Sequence, residues 1–286
     1  MSDAAFTSPN SRQKIALVGC SDPLPQREMQ DVAQLVQLLK SQNVETAVSP
    51  TLLSDTLPSP EEKADVLNGF FRDPSVGYVF DVSGGDLANT VLPFFDWEAI
   101  RSSEATFFGF SDLTTVLNAI VAKTGRSAVN YQIRNLLYSD AQAQRRYFEK
   151  SVLHGSFDTA CLEARFLRGK RMQGKVFGGN IRCFLKLAGT PYMPDPAGGI
   201  LLLESLGGGV NQMITALEQY SQLGVFDRIA GILLGTFTTM EENALSPTME
   251  ELVLRMTPAH IPIAKTRRIG HYPDARAIPL GREMIF

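Results

Sequence analysis

Long apolar runs are missing from this 286-residue chain: no stretch approaches the roughly eighteen residues needed to cross a membrane. Met1 to Gln13 are polar and lack the apolar centre of a signal peptide. The expected location is therefore cytoplasmic, with residues 1–13 as a short disordered lead. No long basic run is present and the formal net charge is -3. That combination argues against a nucleic-acid or membrane-surface partner. Cysteine is scarce, with Cys20, Cys161 and Cys183 far apart and without metal-ligand spacing. A disulfide framework is excluded, no metal or other cofactor is expected, and a reducing compartment fits. Histidine is equally scarce, so His154, His260 and His271 are the whole choice of imidazole bases.

What is present is an ordinary globular composition, 44% hydrophobic and 20% charged, in a length suited to one large or two medium domains. Lys14–Cys20, followed by Ser21-Asp22-Pro23, reads as a first buried strand and its loop, and Val32, Leu35, Val36 and Leu39 mark one face of a helix. Val44–Val48 and Val76–Val82 follow as strands, separated by a helix that opens at Ser59-Pro60-Glu61-Glu62 with a capping serine and an early proline. This alternation predicts a parallel sheet with helices on both faces through about Thr124. Ala141–Lys150 is mostly polar and reads as an exposed helix or connector. Thr159–Leu167 and Lys170–Phe177 look like paired strands around Arg168-Gly169, and Gly178-Gly179-Asn180 looks like a helix start.

Four places carry candidate chemistry. At Thr106-Phe107-Phe108-Gly109-Phe110-Ser111-Asp112-Leu113 a strand turns directly into a helix, which holds Ser111 on a rigid corner beside unpaired N–H groups. Ser111-Asp112 also suits a plain helix cap, and the Gly-x-Ser-x-Gly elbow is broken by Leu113. Ser83-Gly84-Gly85-Asp86 follows a strand, where glycines let backbone approach a ligand or simply turn. Both loops fall at the carboxyl edge of a parallel sheet, where such folds bind ligands. Gly198–Leu203 is a buried aliphatic strand that ends in Glu204, and an acid at a core edge is paired or used. His271 follows a glycine in a loop and suits general-base work, though it also suits a plain surface position.

In this order, the segments resemble the serine LD-carboxypeptidases, which include muramoyltetrapeptide carboxypeptidases and microcin C self-immunity peptidases. The resemblance runs from Ile15 to Gly281 and rests on Gly109-Phe110-Ser111-Asp112-Leu113-Thr114, on Gly178-Gly179-Asn180 with Leu187-Ala188-Gly189-Thr190-Pro191-Tyr192, on the run ending at Glu204, and on Gly270-His271 with Pro279-Leu280-Gly281. It implies an α/β fold: an N-terminal Rossmann- or flavodoxin-like parallel-sheet domain over 14–140, a connector over 141–158, and a β-rich α+β domain over 159–286, with the active site in the cleft between them. It implies a triad of Ser111, His271 and Glu204, an oxyanion hole from the Asp112 and Gly85 N–H groups, substrate contacts at Gly84 and Asp86, and a homodimer. The glycine loop departs from the usual family pattern towards the immunity branch, and Ser205 stands where an acid often follows the triad glutamate. Trp97 reads as core, and the Arg168–Gly178 connection is short for a nucleotide-gripping loop. The expected activity is release of a C-terminal D-amino acid from a small cytosolic wall peptide. Alternatives are an immunity-type hydrolase of aminoacyl-nucleotide analogues, a non-catalytic binding protein on this fold, and a cysteine hydrolase built on Cys20.

Overall fold

Short apolar runs separated by helices make the strands of the first half mutually parallel. The computed structural model describes residues 14–53 and 57–286, so the expected lead over 1–13 lies outside the described residues. The chain runs β1 (Lys14–Val18), α1 (Gln26–Ser41), β2 (Thr46–Val48), α2 (Pro60–Arg72), β3 (Val76–Asp81), α3 (Trp97–Ser102), β4 (Thr106–Gly109), α4 (Thr114–Thr124), β5 (Ala128–Asn130) and α5 (Ala141–Tyr147). It continues as β6 (Arg165–Arg168), β7 (Gln173–Asn180), α6 (Ile181–Leu185), β8 (Ile200–Ser205), α7 (Val210–Gln222), β9 (Gly231–Phe237), α8 (Thr238–Glu242), α9 (Met249–Met256), β10 (Ile263–Lys265), β11 (Ile278–Leu280) and β12 (Glu283–Ile285). Among the described residues these strands form two six-stranded sheets.

The first sheet has the order β11-β5-β4-β3-β1-β2 and is parallel except for β11, which runs antiparallel to β5. Period-two alternation sends Ala16 and Val18 to one face and Ile15 and Leu17 to the other, and each set joins a separate apolar cluster. α1 covers the outer face with Val32, Leu35 and Leu39. Phe148, Val152 and Leu153 join that cluster, so the segment read as a connector packs on the first sheet. α2 begins at a reciprocal cap: the Ser59 side chain accepts from Glu62 N, and the Glu62 carboxylate accepts from Ser59 N.

The second sheet has the order β12-β7-β8-β9-β10-β6. Its four central strands are parallel and its two edges antiparallel. β6 and β7 do not form the expected hairpin, because β6 pairs with β10 and β7 with β8 and β12, at opposite sides of the sheet. Gly178-Gly179-Asn180 ends β7 instead of opening the helix, and the Asn180 side chain then caps α6 by accepting from Cys183 N.

α4 joins the sheets. One apolar cluster runs from Ala16, Val18 and Phe107 through Leu113, Val116 and Leu117 into Val176, Leu201 and Leu203. At the centre of this apolar contact, the fully buried Asn118 donates through Nδ2 to Gly178 O (2.8 Å) and accepts from Gly178 N (2.8 Å). Thr114 Oγ1 accepts from Asn180 N at 2.9 Å. Gly179 has φ 134°, and a Cβ there would sit 2.7 Å from Thr114 Oγ1, so the close approach requires glycine. Asn118→Ala orphans a buried N–H and a buried C=O at about 1–3 kcal/mol each. The expected outcome is a lower urea midpoint with secondary structure retained in the native baseline, measured by circular dichroism.

Candidate active site

Ser111 stands where β4 ends, at the first residue of a single 3₁₀ turn that runs into α4. Its φ of 58° lies in the left-handed region, an uncommon conformation for a residue with a Cβ. The turn is tight: a Cβ on Gly109 would lie 2.7 Å from Leu113 Cβ, so Gly109 is required by the same leucine that breaks the usual glycine pattern. Strain of order 1–2 kcal/mol is typical of a residue held this way at a functional corner.

Facing it, His271 Nε2 lies 3.3 Å from Ser111 Oγ, across 160 residues of sequence. His271 Nδ1 is 2.8 Å from Glu204 Oε2, with the two side chains 9% and 1% exposed. That contact is close but lacks the alignment of a hydrogen bond, and neither atom has another bonding partner. Relays of this kind are often loose without substrate and tighten around it. Glu204 lies in β8, where the register shifts between Leu203 and Ser205. Gly270 has φ 138°, and a Cβ there would fall 1.8 Å from Thr236 Oγ1, so the residue before the histidine has room for glycine alone. Phe110 packs its ring 4.3 Å from the imidazole. The structure therefore brings Ser111, His271 and Glu204 into one line of contacts. His154 bonds Glu149 O through Nδ1 and lies on the surface.

Asp112, whose N–H is the expected oxyanion donor, lies in the 3₁₀ turn beside Ser111, and its carboxylate is fully buried and works as a hub. Oδ2 accepts from Ser21 Oγ (2.6 Å) and Ala88 N (2.8 Å), and Oδ1 from Lys186 Nζ (2.6 Å). The lysine follows α6, so this ion pair crosses between the sheets. For the Lys186 ammonium, burial is the largest influence and favours the neutral amine, but Asp112, with Cys183 and Asp86, outweighs it and raises the pKa above the ordinary value.

The glycine loop is fastened from the other side. Gly84 O accepts from Asp22 N, and Asp22 Oδ1 accepts from Asp86 N and Leu87 N. Gly85 has φ 125°, and a Cβ would lie 2.2 Å from Asp22 Cγ. The exposed Asp86 carboxylate pairs with Arg182 (3.1 Å) and Lys186 (3.3 Å), which ties the expected substrate-contacting residue to the second sheet's helix. Asp81 is buried below the loop, its pKa raised by that burial, and accepts from Cys20 N and from both Ser83 N and Oγ. Cys20 is buried and its thiol pKa is pushed well up by burial and Asp81, the opposite of an activated thiolate. Among the described residues no group of His, Cys, Asp or Glu is placed to hold a metal ion.

Lys186, Ser21 and Phe110 were not singled out as site residues by the sequence. The available signal was Asp112: a carboxylate among apolar helix positions needs a buried partner.

Residues 15–131 match the sequence profile of the LD-carboxypeptidase N-terminal domain, and residues 173–285 that of the LD-carboxypeptidase C-terminal domain. The murein tetrapeptide carboxypeptidase of Pseudomonas aeruginosa is 26% identical over 237 residues, which is 79% of this chain and 77% of that protein. The microcin C7 self-immunity protein of Escherichia coli is 22% identical, over 77% of this chain and 74% of that one. Among solved structures, the microcin C7 self-immunity protein in complex with aspartyl sulfamoyl adenosine superposes with a TM-score of 0.84 at 19% identity, over 99% of this chain and 94% of that one. The muramoyltetrapeptide carboxypeptidase of Oxalobacter formigenes gives 0.75 at 20%, over 96% and 94%.

Lys186→Met leaves the Asp112 carboxylate buried without its cation and is expected to destabilise the fold by about 3–5 kcal/mol. Because the folded pKa of Lys186 is raised, the pair's contribution is complete below the ordinary lysine pKa of about 10.4. It is lost as pH rises through the folded value. Urea unfolding from pH 7 to 11 should show a constant gap between wild type and variant that closes only above about pH 10.

Proposed function

Because the chain belongs to the LD-carboxypeptidase family, matched in both its N-terminal and C-terminal domains, we propose that it is a cytoplasmic, homodimeric serine carboxypeptidase. It hydrolyses an L,D-peptide bond and releases a C-terminal D-amino acid from a murein tetrapeptide. The single observation that carries this reading is the contact line Ser111–His271–Glu204 at 3.3 and 2.8 Å.

In this reading Ser111 Oγ attacks the scissile carbonyl while His271 Nε2 takes its proton. Glu204, beneath the ring, stabilises the imidazolium, and His271 then returns the proton to the leaving amine. Water repeats the sequence on the acyl-enzyme, with His271 again as base. The N–H groups of Asp112 and Gly85 bind the developing oxyanion, and a donor of this kind is worth about 100- to 1000-fold in rate. Gly84 and Asp86 are the substrate contacts in this reading, with the exposed Arg182 guanidinium beside Asp86 as the cation for a terminal carboxylate.

Two observations favour this over the immunity-type reading. Trp97 is spent in packing, 5.4 Å from Phe95 and 5.7 Å from Tyr192, so it is not free to stack on a purine. β6 ends at Arg168 and β7 begins at Gln173, which leaves no room there for an added nucleotide-binding loop.

The test is incubation with an L,D-linked tetrapeptide and with an acyl-sulfamoyl adenylate, following products by mass spectrometry. Wild type should release D-alanine, Ser111→Ala and His271→Ala should each lose roughly 10⁶-fold in kcat, and Cys20→Ala should stay active. Turnover of the adenylate alone sinks the carboxypeptidase reading. Equal inertness of wild type and Ser111→Ala on both substrates leaves a binding protein.

A further inference from the structure

α5 has the sequence Ala-Gln-Ala-Gln-Arg-Arg-Tyr, and Gln144 is its one buried residue, with no exposed surface at all. A fully buried glutamine is unusual unless its amide is used. Here Nε2 donates to Pro273 O at 2.7 Å and to Ala275 O at 2.8 Å, while Oε1 accepts from Tyr131 OH at 3.2 Å. Pro273 and Ala275 lie two and four residues past His271, in the loop that presents the imidazole. The same loop is held at its far end by Ala277 N, which donates to Tyr147 OH at 3.1 Å, and by the Arg276 guanidinium 4.6 Å over the Tyr147 ring.

Between β10, which ends at Lys265, and β11, which begins at Ile278, the stretch is bonded to β9 by Thr266 N, which donates to Leu234 O, and by Thr236 N, which donates to Ile269 O two residues before His271. Within the loop, Arg276 N donates to Arg268 O and Ala275 N to Tyr272 O. Those bonds shape the loop but do not relate it to the serine. Gln144 does, because it stands on the segment packed against the first sheet, from which Ser111 also projects.

We propose that Gln144 is a positioning residue for the reaction, fixing the His271 loop at the distance from Ser111 at which the imidazole can take the serine proton. This rests on the Ser111–His271–Glu204 reading above. Two donated bonds from one rigid amide set both the height and the tilt of the loop, and Tyr131 keeps the amide from flipping. Displacing a reacting group by about 1 Å typically costs up to 100-fold in rate.

The test uses the full chain and a fluorophosphonate, which needs no knowledge of the peptide substrate. The Ser111 Oγ–P bond forms, the P–F bond breaks and fluoride leaves, and the serine proton passes to His271. Gln144→Met keeps the side chain's length and removes its donors. The expected result is a labelling rate at saturation reduced about 10- to 100-fold, with the half-saturating concentration changed less than about threefold and the thermal transition still cooperative. An unchanged saturating rate in folded Gln144→Met overturns the proposal. If that variant does not fold, Tyr131→Phe serves, since it frees the amide to rotate while leaving it in place. A several-fold slower saturating rate supports the proposal, and a wild-type rate overturns it. His271→Ala separates the two claims: if it labels as fast as wild type, the triad reading itself has failed, whatever Gln144 does.

Discussion

The grip of Asn118 on Gly178 sets the spacing on which the site depends. An amide that donates to the C=O and accepts from the N–H of one residue fixes position and orientation together, and does so in a buried setting where neither bond competes with water. Since α4 starts within one turn of Ser111 and Asn180 of β7 pairs with Glu204 of β8, this contact relates serine to carboxylate. The apolar cluster around it supplies most of the stabilisation, but apolar contact alone is non-directional and would tolerate sliding. The polar pair removes that freedom.

Electrostatics then completes what packing begins. Asp112 is buried too deeply to be left unpaired, and it is satisfied from three directions: by Ser21 after β1, by Ala88 after β3 and by Lys186 after α6. Three loops that share no regular pairing are thereby drawn to the carboxyl edge of the first sheet. The same residue offers its backbone N–H beside Ser111. One aspartate thus ties three separate parts of the chain together with its side chain, directly beside Ser111.

Much of this was legible along the chain. Strand-to-helix turning at Ser111 is local, set by Gly109, by the apolar residues before it and by the helical spacing after it, so the corner could be read directly. Glu204 was legible for the same reason, as a carboxylate at the end of an aliphatic run. Pairing partners were not. β6 and β7 are separated by four residues yet lie on opposite sides of a sheet, because β6 finds β10 and β7 finds β8 and β12, which lie well beyond any short window. Gln144 was hidden by its neighbours: a polar helix reads as exposed, and only the fold shows that one of its residues turns inward to a loop 129 residues on. Lys186 was hidden likewise, its partner Asp112 lying 74 residues before it.

Topology explains why His271 lies between the two sheets at all. β10 belongs to the second sheet and β11, next along the chain, to the first, so residues 266–277 must cross from one sheet to the other. His271 sits in the middle of that crossing and is therefore carried to the interface by connectivity, before any side-chain contact is considered. The same crossing argues against wide opening of the cleft. Swinging the sheets apart about a hinge at residues 141–158 would pull β11 from β5, break the Asn118 and Lys186 bonds, and tear a segment whose Phe148 and Val152 are themselves packed in the first sheet's outer core. Each of these losses costs of order 1 kcal/mol or more. The contacts that hold the two sheets together therefore lie on both sides of the Ser111–His271 pair.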